Sequence, residues 1–94
     1  MQKKDAYQQK VDAKLDEWDA EIDRLKAKAR AADADAQIAF QDQIDTLESK
    51  KGTVRAKLDE LKSAGEGAWD DIASGVDRAL DDLSHAGRLA KERF

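Results

Sequence analysis

From Val11 onward the apolar side chains of this sequence recur at intervals of four and three, through Val11, Leu15, Trp18, Ile22, Leu25, Ala29, Ala32 and Ala36. That spacing places them along one seam of an α-helix, the heptad pattern that drives helices to pack side by side. After Ala36 the steps become four, four and three through Phe40, Ile44 and Leu47. Heptads then resume through Lys51, Val54, Leu58 and Leu61. An insertion of this kind is a stutter, which relaxes the supercoil without ending the helix.

The sequence therefore predicts one helix over about residues 4–62, roughly 90 Å long at 1.5 Å per residue. The alternative is a break inside Ala31-Ala32-Asp33-Ala34-Asp35-Ala36, which would give three helices of similar length and a compact three-helix bundle. Four alanines favour helix, and neither glycine nor proline marks a turn there. Continuity is the expectation on those grounds. Gly52 is read as a tolerated interior glycine, because the seam passes it in register.

A turn is expected at about residues 63–67, where Gly65 and Gly67 bracket Glu66 and where Ser63 and Glu66 have capping-box spacing. Lys62 suits a helix carboxyl end, and Asp70 and Asp71 suit a helix start. A second helix over about 68–93 then carries Trp69, Ile72, Val76, Leu80 and Leu83, with Ala90 and Phe94 beyond them. Folded back antiparallel, it sets Trp69 beside Leu61, Ile72 beside Leu58, Val76 beside Val54, Leu83 near Leu47, Gly87 near Ile44 and Ala90 near Phe40.

Such a hairpin leaves the first half of the long helix uncovered. A bare row of Val11, Leu15, Trp18, Ile22, Leu25, Ala29, Ala32 and Ala36 is an apolar stripe that a soluble monomer rarely shows. A second copy of the chain is the expected cover, with a dimer favoured. The fold expected is thus all-α, a single coiled-coil domain over 1–94 made of a long helix and a shorter antiparallel one, and oligomeric.

Composition narrows the function classes. Charged residues make up 40% of the 94 residues, yet the net charge is only -4, so the signs are interspersed and no basic face for nucleic acid is expected. With no cysteine, disulfides and thiolate metal sites are out of reach. Met1-Gln2-Lys3-Lys4-Asp5 leads into charge rather than an apolar run, and no stretch of about 18 apolar residues occurs. A cytoplasmic, soluble protein is expected.

No phosphate-loop, dinucleotide, zinc-protease or nucleophile-elbow pattern is present, so no enzyme, cofactor or small-molecule substrate is expected. Asp12, Asp16, Asp19 and Asp23 line one flank of the first helix, but calcium sites need a loop supplying many oxygens, and a solvated flank is the simpler expectation. His85 stands without a second histidine or a nucleophile. Trp18 and Trp69 both fall on seams and read as core anchors. The second helix has an apolar face suited to a membrane surface, but its polar face bears Asp70, Asp71, Asp77, Asp81 and Asp82, which disfavours anionic lipid.

The run Leu15-Asp16-Glu17-Trp18-Asp19-Ala20-Glu21-Ile22-Asp23, the alanine-rich middle and the segment Gly67-Ala68-Trp69-Asp70-Asp71-Ile72-Ala73-Ser74-Gly75-Val76 resemble small, stress-response-like bacterial coiled-coil proteins of about this length. The resemblance implies a bacterial helical protein with no catalytic residues to carry over. The function expected is a structural or protein-interaction coiled coil, with an amphipathic lipid-surface or client-protecting protein as the alternative.

Overall fold

The alanine-rich middle of the chain does not stay helical throughout. In the computed structural model, which describes residues 3–93, helix α1 spans Lys3–Ala31, α2 spans Ala34–Ser63 and α3 spans Glu66–Arg93. The continuous helix expected over 4–62 is therefore broken at Ala32 and Asp33. Asp33 is the N-cap of α2: its carboxylate accepts from the Ala36 amide at 2.9 Å, while its backbone, at φ -69° and ψ 172°, leaves the helical region. The Gln37 side-chain amide donates to the Ala32 carbonyl at 3.0 Å and braces the turn from the other side.

Folding back wins over propensity because it buries the first seam inside the chain. Helix propensities among ordinary residues differ by only a few tenths of a kcal/mol, whereas each large apolar side chain removed from water contributes about 1.5–3 kcal/mol. Val11, Leu15 and Ile22 are at most 2% exposed, and Trp18, Leu25 and Ala29 pack against the same core. Of the residues expected at an interface between two chains, Val11, Leu15, Trp18, Ile22, Leu25 and Ala29 thus pack in this chain's own core. The stripe that demanded a second copy is covered from within.

The second turn falls inside the expected window but is made differently. Only Ala64 and Gly65 lie outside helix, and α3 begins at Glu66 rather than Ala68. Ala64 is extended, at φ -76° and ψ 142°, its amide donates to the Leu61 carbonyl, and no residue has a positive φ among those described. Ser63 does not cap α3. It closes α2, with its hydroxyl turned back on the carbonyls of Asp59 and Glu60. Lys4, at the start of α1, donates to the Ala64 carbonyl at 3.2 Å and places a cation on the carboxyl end of α2.

The three helices run up, down and up. Lys26 pairs with Glu48 at 2.9 Å and Asp19 pairs with Lys51, which fixes α1 antiparallel to α2. Lys50 pairs with Asp82 at 2.6 Å across α2 and α3. The helix α2 lies between the others and supplies Ile44, Leu47, Val54, Leu58 and Leu61 to a shared core with Val76 and Leu83 of α3. Phe40 is buried nearer the α1–α2 turn, and Trp69, Ile72 and Leu80 lie partly buried against the core. Phe94, expected on the apolar face of α3, lies outside the described residues.

Candidate functional site

Helices α1 and α3 run parallel and meet through two aromatic side chains. Tyr7 donates its phenol hydrogen toward the Asp77 carboxylate at 2.6 Å and the Ala73 carbonyl at 3.0 Å. Its ring stands edge-on to that of Trp69, with centroids 5.5 Å apart and planes at 71°. The Trp69 indole nitrogen is the one buried side-chain nitrogen or oxygen without a hydrogen-bond partner among the described residues. Farther along, the Trp18 ring lies on Gly87, where any Cβ would come within 2.0 Å of the indole. Gly87 is a hollow for an aromatic ring from α1; the sequence had set it opposite Ile44.

Burial and the neighbouring Asp77 carboxylate raise the Tyr7 pKa well above the ordinary phenol value. A folded-state pKa above the unfolded one means that this contribution to stability is complete below about pH 10 and drains away as pH rises toward the folded value. Tyr7→Phe is expected to cost about 1–2 kcal/mol near neutrality. It should also flatten the alkaline loss of stability relative to wild type, as read by urea denaturation across pH. Tyr7 is the only tyrosine, so ultraviolet absorbance of its phenolate reports the titration directly.

Between these contacts the helices enclose a groove of about 800 Å³. Its apolar surface comes from Trp18 and Ala20 on α1 and Leu80 on α3, with the Tyr7 ring at one end and the buried Val11 beneath. Because Tyr7 meets Asp77 and Trp18 meets Gly87, a residue of α1 lies level with one about 70 positions later. Lys10 therefore stands level with Asp81, Lys14 with Ser84 and Glu21 with Lys91, while Asp77 lies beside Tyr7. Among the described residues no ion pair crosses the groove; the ion pairs of α1 are made within the helix or to α2. From Tyr7 to Glu21 the trough runs for about 20 Å at 1.5 Å per residue, close to four helical turns.

The remaining candidates separate. Ala32 and Ala36 lie half-buried at the α1–α2 turn. In the aspartate row, Asp19 is paired with Lys51, Asp12 is half-buried, and Asp16 and Asp23 are exposed. No group of three or more His, Asp or Glu side chains is placed to hold a metal among the described residues. His85 is exposed in a smaller crevice between α2 and α3, with Lys50, Asp82 and Leu89. Among the described residues no helix is long and apolar enough to cross a membrane. The apolar face of α3 that would meet lipid is turned into the core through Val76 and Leu83. The groove could not be read from the sequence, because its two walls are brought together only when α1 folds back.

Compared with known proteins, the chain matches no family model, no curated protein and no solved structure.

Proposed function

We propose that this chain is a non-enzymatic protein-interaction module whose α1/α3 groove receives one helix of a partner protein. The observation that carries this reading is the long trough between two parallel helices, apolar along its floor and charged along both rims. A helix laid antiparallel to α1 and α3 completes an up-down-up-down bundle, the arrangement in which four helices share one core. The shape suits a rod better than a compact small molecule. Among the described residues Ser84 is the only hydroxyl besides Tyr7 on the walls, and no histidine lines them, which supports a binding role over nucleophilic chemistry.

The rims specify the partner's flanks. Beside Lys10 and Lys14 the incoming helix should carry acidic residues, and on its other edge, beside Asp77 and Asp81, basic ones; near Glu21 and Lys91 the preference reverses. The test uses two synthetic amphipathic helices with the same leucine seam, one with these flanking charges and one with every sign reversed. The matched peptide is expected to shift the amide resonances of Tyr7, Trp18 and Leu80. The double variant Lys10→Glu, Lys14→Glu should weaken it about 2- to 30-fold, since exposed ion pairs contribute about 0.2–1 kcal/mol each. Equal affinity for both peptides, or resonance shifts confined to other faces, would remove the groove as the binding site.

A further inference from the structure

The two turns of the bundle are secured unequally. Ala64 and Gly65 are held by a lysine from the far end of the chain, Lys4 on the Ala64 carbonyl. Ala32 and Asp33 are held, among the described residues, by near neighbours in sequence, Ala29, Ala36 and Gln37. The segment around them, Ala31 to Ala36, is four alanines and two aspartates, with no residue that resists helix strongly. Asp33 already has the φ of a helix at -69°, and only its ψ of 172° departs.

We propose that two copies of this chain exchange α1. Ala32 and Asp33 straighten, α1 and α2 fuse into one helix of about 90 Å, and each copy's α1 packs on α2 and α3 of the other. Fusion removes two helix ends: the free carbonyls of α1's last turn and the free amides of α2's first turn become each other's partners. Every long-range contact of α1 is remade with the second copy. Asp19 meets its Lys51, Lys26 its Glu48, Tyr7 its Asp77 and Trp18 its Gly87. Ala29, Ala32 and Ala36 fall where the two long helices cross, and their small side chains let the axes approach closely. The monomer and the exchanged dimer thus differ only in the hinge and in the entropy of association, so the balance between them is set by Asp33 and by concentration.

Two substitutions move that balance in opposite directions. Asp33→Ala removes the cap of the closed form and leaves a better helix former in the open one. A cap contributes about fivefold per helix end, and a dimer opens two hinges, so the dissociation constant should fall about 25-fold. Ala34→Pro sits at the first residue of α2, where proline fits the closed form and follows an extended Asp33, but breaks a continuous helix. It should hold the chain as a monomer, with its helical circular dichroism showing that it remains folded.

Wild type and both variants are refolded from urea at high micromolar concentration and weighed by light scattering. The expected results are a species of twice the 10.4 kDa chain mass for wild type, more of it for Asp33→Ala and none for Ala34→Pro. Connectivity is read by co-refolding a Lys26→Cys chain with a Glu48→Cys chain and adding a short bis-maleimide, the chain having no cysteine of its own. A covalent heterodimer supports exchange. Monomers throughout, a dimer that survives Ala34→Pro, or a dimer without the cross-link would overturn it. These readouts are mass and connectivity, so they stand apart from the peptide test of the groove.

Discussion

Leu15→Ala is expected to lower the unfolding free energy of the single chain by about 2–5 kcal/mol, a large share of the stability of a small domain. Leu15 is 0% exposed and sits between Val11 and Ile22 in the core shared with α2 and α3. Truncation removes its transfer free energy and leaves a cavity that three packed helices close only in part. The measurement is urea denaturation followed by helical circular dichroism in dilute solution. The drop should not depend on protein concentration, since the side chain is covered by its own chain. An effect that vanishes on dilution would instead place Leu15 against a second molecule. Because the exchanged dimer remakes the same contacts, this variant should lower both forms alike and leave the ratio of monomer to dimer unchanged.

The all-helical class and the inner face of α2 and α3 could be read from spacing alone, since Ile44, Leu47, Val54, Leu58, Val76 and Leu83 are all buried together. The turn at Ala64 and Gly65 could be placed, though not its chemistry: the spacing of Ser63 and Glu66 suggests a capping box, and the chain uses an extended alanine with a lysine on its carbonyl. The break at Ala32 and Asp33 runs against local propensity, which points to helix there. What decides it is non-local, the burial of Leu15 and its neighbours against residues 30 to 70 positions away. Two local signals do mark the spot. Asp33 is a good N-cap with Asp35 in the first turn behind it, and the four-four-three stutter after Ala36 is a change of phase that a second helix produces as readily as a relaxed supercoil. A straight first helix holds α1 away from α3, and the Tyr7 and Trp18 contacts and the groove between them exist only in the folded-back chain.

Gly87 and Trp18 test that geometry through a change of sign. Alanine in place of a glycine inside a helix ordinarily stabilises by about 1 kcal/mol, and by that rule Gly87→Ala should help α3. Here the new Cβ would come 2.0 Å from Trp18 Cη2 and 2.4 Å from Cζ3, distances at which the ring must move. The indole is part of the core's edge on α1, so displacing it also uncovers what it covers. Overpacking of this kind costs about 1–3 kcal/mol, enough to outweigh the gain in propensity. In a Trp18→Ala background the obstacle is gone, and the same Gly87→Ala change should stabilise by about 1 kcal/mol. A double-mutant cycle measured by urea denaturation should therefore show a coupling of about 1–3 kcal/mol with reversal of sign. Additive effects would mean that Trp18 does not rest on α3, and with that contact would go the parallel register of α1 and α3 on which the groove depends.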